Sequence, residues 1–240
     1  MKQALTIAHL YPREMNIYGD LGNVIALQRR LEWRGITPRV VHVEAGEPVD
    51  WEAVDVVFGG GGQDSGQLVV GQDLLRHGSA LRQMAEDGVP MLVICGTYQL
   101  FGHGFTTVEG QEIPGIGVFD MRTVGGTVRM IGNMVVETEA YGQLVGFENH
   151  SGQTILAARQ APLGTVIKGA GNNPHSRQEG AQRGMAIGTY LHGPVLPKNS
   201  QLADALLGAA LRRRYGVTEL EPLDDALERA AARVAASRPR

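Results

Sequence analysis

Over the first hundred positions, short apolar runs alternate with amphipathic stretches. Residues 5–11 form an apolar run, and from about 22 to 34 Val24, Leu27 and Leu31 recur at helical spacing, with Gly35 as a stop. Apolar segments follow at 39–43, 54–58 and 91–94, the last two separated by a helical stretch from about 67 to 87. This strand–helix–strand alternation predicts an α/β fold, a mainly parallel twisted sheet flanked by helices. In such sheets functional groups gather beyond the carboxyl ends of the strands.

From about 115 to 152 the pattern changes to valine-rich segments broken by glycine, at 118–124, 127–131, 134–137 and 144–147, which read as additional β-hairpin strands. Another apolar segment, 185–191, then runs straight into His192-Gly193-Pro194. Leu202, Leu206, Ala209 and Ala210 give residues 199–215 helical spacing, closed by Gly216. A last helix is expected after Pro222, with Leu223, Leu227, Ala230 and Val234 along one side, as a cap on the fold or a partner-docking surface. The chain is therefore divided into a domain over 1–216 and a C-terminal helical extension over 217–240.

Composition narrows the classes. With 240 residues, 43% of them apolar, the chain can bury a large core. A formal net charge of −3 gives no electrostatic reason to expect nucleic acid or an anionic membrane as partner. The apolar run at 5–10 is too short for a signal-peptide core, and no run reaches transmembrane length, so a cytoplasmic location is expected. One cysteine cannot form an internal disulfide, which agrees with a reducing compartment. Glycine is the outlier: 33 residues, about 14% against a usual ~7%. The extra glycines cluster where apolar runs end, at Gly59-Gly60-Gly61-Gly62, at Gly96 and at Gly193.

That single cysteine is Cys95, in Met91-Leu92-Val93-Ile94-Cys95-Gly96-Thr97-Tyr98-Gln99. A lone intracellular cysteine is more often a small core hydrophobe. Here a buried strand, Cys-Gly and a helix start together point to a nucleophile elbow, which lifts the thiol above the sheet and aims a helix N-terminus at it. Such a nucleophile needs a base, and His192 ends a strand where a base would stand. His9, His42, His77 and His175 lack that strand-end context, and His103 and His150 are weaker alternatives. The amides of Gly60 and Gly61, with the amide after Cys95, are candidate oxyanion donors. No Gly-Lys-Ser/Thr follows the four glycines, so no P-loop forms and no ATP site is expected in this chain. Nor do the histidines and acids show a metal-ligand spacing.

Cys-Gly-Thr-Tyr-Gln after a hydrophobic strand, Gly-Gly-Gly-Gly-Gln-Asp upstream and Tyr-Leu-His-Gly downstream resemble class I glutamine amidotransferases of the cobyric acid synthase type. More narrowly, Asn16-Ile17-Tyr18-Gly19-Asp20-Leu21-Gly22-Asn23 and Gly146-Phe147-Glu148-Asn149-His150-Ser151-Gly152 resemble the amidotransferase subunits of lipid II isoglutaminyl synthases. The resemblance implies a heterodimer in which this subunit hydrolyses L-glutamine through a cysteine thioester. Ammonia then passes to a Mur-ligase-like partner, where ATP is bound and the D-glutamate α-carboxylate of the lipid II stem peptide is amidated. It makes Cys95 the nucleophile, His192 the base and Arg129 the ligand of the substrate α-carboxylate. From the residues alone Arg129 reads as a surface charge, and Asn16, Asp20 and Asn23 as turn and cap residues.

One departure stands out. Many class I amidotransferases place a glutamate two residues after the histidine, and here that position is Pro194. The expectation is that the partner supplies the missing carboxylate, with acids of this chain, including Glu148, as substitutes. Two other amidotransferase-fold readings remain: an ammonia donor to a cobyrinate-type synthetase, or a non-catalytic regulatory subunit that would have no need of Cys95 and His192. A peptide-cleaving cysteine hydrolase of the same architecture would need no synthetase partner.

Overall fold

The computed structural model describes residues 3–217 and 219–239, so the outermost residues of both expected segments and Thr218 lie outside the description. Its first part follows the alternation read from the sequence: β1 (Ala4–Leu10), α1 (Leu21–Glu32), β2 (Thr37–Val43), β3 (Val56–Gly59), α2 (Asp64–Glu86), β4 (Met91–Ile94) and α3 (Gly96–Phe101). Short strands β5 (Gly104–Thr106) and β6 (Glu112–Pro114) lead into a long hairpin, β7 (Met121–Thr138) and β8 (Gly142–Leu156). The chain then runs through β9 (Gly164–Lys168), β10 (Gln178–Glu179), β11 (Ala181–Arg183), β12 (Ala186–Thr189), α4 (Ser200–Tyr215) and α5 (Ala226–Ser237).

These strands form two sheets. The first has the order β11-β12-β4-β3-β1-β2 and is parallel except for the edge strand β11. β3, β4 and β12 are buried along their whole length, as expected for parallel strands covered on both faces. α1 turns Val24, Leu27 and Leu31 inward and packs against α4, while α2 packs against α3. Gly216, left-handed at φ 68°, ends α4 by donating its amide to Arg212 O, the cap that only glycine adopts without strain.

The valine-rich half departs from expectation. The four short segments merge into β7 and β8, which pair antiparallel along most of their length. A second sheet, β10-β9-β7-β5-β6, is completed by β8 on β7. The glycines that read as strand breaks mark instead a register shift between Gly125 and Met130. A Cβ on Gly126 would come within 2.8 Å of Ser151 O, so the two backbones approach too closely there for any side chain. The bulge matters because Arg129 lies on it.

The last helix shows no buried residue, and Leu227 and Val234 are exposed. It is held by polar contacts at its two ends. The Arg30 guanidinium, buried on α1, bonds both Asp204 and Asp225, while Lys168 donates to the carbonyls of Ala236 and Arg238. The segment thus straps α1 of the first sheet to β9 of the second. No helix among the described residues is long and apolar enough to cross a membrane.

Candidate active site

Four neighbouring strands, β12, β4, β3 and β1, deliver their carboxyl ends to one place. β4 ends in Cys95, which takes φ 50° and ψ −105°, and α3 begins at the next residue. A non-glycine residue in that region costs roughly 1–3 kcal/mol and persists only where the surroundings hold it. Here Cys95 N–H donates to Thr189 O at 2.9 Å and its carbonyl accepts from Gln99 N–H at 2.9 Å. The residue after it must be small, since a Cβ on Gly96 would lie 2.9 Å from both Gly62 N and Met15 Cε. The result is a strained elbow with the thiol facing an open cleft of about 470 Å³.

His192 follows β12 by three residues and is wholly buried. Its backbone pairs with Phe147 of β8, and the Tyr18 ring packs edge-on against its imidazole at 5.0 Å. Burial opposes its charge, but Cys95 and Asp20 outweigh that and push its pKa up to about 10. The structure thus brings Cys95 and His192 together as an interacting thiol–imidazole pair. Neither ring nitrogen has a hydrogen bond of good geometry, a looseness common before substrate tightens a catalytic site.

One carboxylate of this chain comes near the imidazole. Asp20 Oδ2 lies 3.5 Å from His192 Nδ1, with both side chains essentially inaccessible to solvent. Asp20 occupies the N-cap position of α1 yet makes no capping bond. Its Oδ2 instead accepts the Gly61 N–H at 2.7 Å, and the amide of Leu21 is met by Asn16 Oδ1. Asp20 keeps the N-cap position, its carbonyl accepting Asn23 N–H at 2.9 Å, while its side chain turns to the glycine loop and Asn16 supplies the side-chain bond to the helix. Asn23 also reaches out of its helix, accepting Leu196 N–H at 2.8 Å. The Glu148 carboxylate accepts from Ala170 and Gly171 N–H and approaches His150 at 4.0 Å.

Of the candidate oxyanion donors, one is already engaged. The Gly61 N–H is taken by Asp20, and the Gly60 carbonyl accepts the Thr97 hydroxyl at 2.6 Å. Gly62, beside Gly96, borders the cleft with Cys95.

Arg129 stands across the cleft from Cys95. Its Nε donates to Asn149 Oδ1 at 2.6 Å and Nη2 to the Tyr18 hydroxyl at 3.2 Å. These bonds aim an exposed guanidinium into a site lined also by Gln67, Gln99 and Ser151. Behind the cleft Gln67 donates to Gln99 at 2.7 Å, Gln99 to the Tyr190 hydroxyl at 3.1 Å, and that hydroxyl meets Thr154 at 2.8 Å. Of the other histidines, His150 lines the cleft but stacks flat on Tyr190 at 3.6 Å and bonds Gly152 O; burial pushes its pKa down to about 3. His103 pairs with Asp120 outside the cleft. Neither is placed to take the thiol proton.

Comparison with known proteins agrees with this arrangement. Residues 6–200 match the CobB/CobQ-like glutamine amidotransferase domain. The chain is 39% identical to the lipid II isoglutaminyl synthase (glutamine-hydrolyzing) subunit GatD of Staphylococcus aureus, over 93% of this chain and 91% of that protein. It is 37% identical to the same-named subunit of Streptococcus pneumoniae, over 88% and 82%. A cobyric acid synthase of Pelotomaculum thermopropionicum is 29% identical and aligns over 90% of this chain but 41% of its own length. Among solved structures, a glutamine amidotransferase of Thermotoga maritima superposes with a TM-score of 0.53 at 15% identity, covering 96% of this chain and 93% of that one, a likeness of fold.

Proposed function

The chain belongs to the CobB/CobQ-like glutamine amidotransferase family, and on that premise we propose that it hydrolyses L-glutamine at Cys95 and supplies the ammonia for amidation of lipid II. The observation that carries this reading is the meeting of a strained nucleophile elbow, a buried histidine and an exposed guanidinium at one cleft.

In this reading Arg129 takes the glutamine α-carboxylate in a bidentate grip, which fixes the side-chain amide toward Cys95. The Cys95 thiolate, its proton passed to His192, attacks the amide carbon. Negative charge moves to the carbonyl oxygen, where the amides of Gly62 and Gly96 meet it; one such donor is worth roughly 2.7–4 kcal/mol. As the C–N bond breaks, His192 returns the proton to the leaving nitrogen, which departs as ammonia and leaves a thioester. Water, deprotonated by His192, then cleaves the thioester to glutamate and restores Cys95. The elbow, the base and the substrate clamp come from three different parts of the chain, so folding alone assembles the site.

The acceptor step needs ATP and a carboxylate substrate, both assigned to a Mur-ligase-like synthetase subunit in a heterodimer acting on the cytoplasmic side. Both GatD relatives align over most of their own length, whereas the cobyric acid synthase aligns over less than half of its own; this favours lipid II over a cobyrinate acceptor. The test is an amidation assay with synthetase partner, ATP and lipid II. Glutamine should support amidation with the wild-type chain and fail with Cys95→Ala, while an ammonium salt should restore product with the variant. Product from glutamine with Cys95→Ala, or none from either nitrogen source, would overturn the reading.

A further inference from the structure

We infer that Gln67 is a specificity residue of the cleft: its side-chain oxygen, which has no partner, accepts a hydrogen bond from the carboxamide nitrogen at the end of the substrate side chain. The site thereby tells glutamine from glutamate and from analogues without an N–H at that end. The inference rests on the glutamine-hydrolysis reading and deepens it.

Gln67 stands one turn into α2, where the glycine loop after β3 delivers it to the cleft. The residue is 2% exposed, and its Oε1 has no hydrogen-bond partner. A buried acceptor without a donor is costly, and folded proteins keep few of them. The amide is held from behind. Gln67 Nε2 donates to Gln99 Oε1 at 2.7 Å, and Gln99 Nε2 donates in turn to the Tyr190 hydroxyl at 3.1 Å. Turning the Gln67 amide over would set two carbonyl oxygens against each other at that separation, so the relay ends on an acceptor. A Cβ on Gly96 would lie 2.6 Å from Gln67 Nε2, which puts this amide against the first residue of α3, beside the nucleophile.

Neighbouring acceptors are already taken. Asn149 Oδ1 receives Arg129, Gln99 Oε1 receives Gln67, and the Gly60 carbonyl receives the Thr97 hydroxyl. A glutamine held by its α-carboxylate at Arg129 turns its far end to Cys95, and the donor at that end is the carboxamide NH2. The α-ammonium, on the same carbon as the α-carboxylate, stays at the Arg129 end. Gln67 Oε1, on the Cys95 side, is therefore matched to the carboxamide nitrogen. Glutamate would bring an oxygen to that place, acceptor against acceptor. A site built around a substrate N–H rejects an analogue lacking it, because the protein's buried polar atom is then left unpaired. Gln67 transfers no proton; it holds the nitrogen to which His192 returns one.

The experiment measures ligand binding by titration calorimetry on Cys95→Ala and on Cys95→Ala combined with Gln67→Met, each in complex with the synthetase partner. The two ligands are L-glutamine and its methyl ketone analogue, in which CH3 stands in place of NH2. Alanine at position 95 prevents both turnover and addition of a thiol to the ketone. With Gln67 present, glutamine should bind about 10-fold more tightly than the methyl ketone, the worth of one buried hydrogen bond. With Gln67→Met, which fills a similar volume without a comparable acceptor, the two ligands should bind within threefold of each other. General damage to the cleft would weaken both ligands and leave their ratio unchanged, and that result overturns the inference. Binding within threefold while Gln67 is in place overturns it as well, and this arm decides alone should the Gln67→Met variant not fold. If glutamine is neither bound by Cys95→Ala nor hydrolysed by wild type, the glutamine reading falls and the inference with it. Glutamine bound without preference over the ketone leaves that reading standing and removes only the role of Gln67.

Discussion

Phe147 and His192 exchange two backbone hydrogen bonds, Phe147 N–H to His192 O at 3.1 Å and His192 N–H to Phe147 O at 2.8 Å. The exchange ties the loop after β12, in the first sheet, to β8, in the second. β8 also carries Asn149, which holds Arg129. Cys95, His192 and Arg129 are thereby fixed across a junction between two sheets, so a disturbance of the hairpin reaches His192 as well as Arg129.

Arg129→Lys should raise KM for glutamine by about 10- to 100-fold, the worth of roughly 1.5–3 kcal/mol for bonds to a charged group, because a point ammonium loses the planar fork. Steady-state glutaminase assays read it directly. A fall in kcat with unchanged KM would place Arg129 elsewhere in the mechanism.

At Cys95 the usual order of alanine and glycine should reverse. In most sites glycine is less stable than alanine by roughly 0.5–1 kcal/mol. With φ at 50° and ψ at −105°, Cys95→Gly relieves strain that Cys95→Ala retains. Cys95→Gly should therefore melt at the higher temperature, and neither variant should turn over glutamine. A lower melting temperature for the glycine variant would show that the elbow is not strained.

Acid should destabilise the fold through its buried neutral histidines. Burial pushes His9 down to about 4 and His150 down to about 3. Below about 6.5 the unfolded chain takes up protons that the folded chain refuses, so stability is full above that pH and falls toward pH 4. Each group contributes about 1–3 kcal/mol at the acid end. His9 has no hydrogen-bond partner at either ring nitrogen and packs beside Phe58 at 5.3 Å. His9→Phe should flatten the profile between pH 6.5 and 4 in denaturant titrations, and a slope as steep as wild type would contradict this.

The C-terminal strap should matter to stability more than to chemistry. Asp225→Ala leaves the buried Arg30 guanidinium with Asp204 alone and should cost about 1–3 kcal/mol, less than the ~3–5 of a fully broken buried pair. Thermal unfolding measures the loss, and glutamine turnover below the melting range should stay within twofold of wild type.

Much of this was legible in the sequence, and what was not has physical reasons. β4 and its cysteine were readable because a wholly apolar run stopping at Cys-Gly has few other interpretations. The parallel sheet followed from the regular alternation of strands and helices. The long hairpin was misread as short strands because glycine signals a break as readily as a close approach, and only the pairing of Gly126 against Ser151 tells them apart. Asp20 does stand at the N-cap, as an aspartate before a helix ordinarily does, but the turn of its side chain to the glycine loop was not legible. That Asn16 could cap instead was the available hint, but the contact to His192 spans 172 positions and no local pattern reports it. Arg129 was chemically silent on its own and came only from resemblance, since its place on a bulge facing the cleft is a property of two paired strands.

The most direct test of the account measures glutamate and ammonia released from L-glutamine by the purified chain, wild type beside Cys95→Ala, with and without the synthetase partner. The expected result is turnover by wild type that disappears in the variant under both conditions. Turnover that survives the loss of Cys95, or none by wild type even with the partner present, would contradict it.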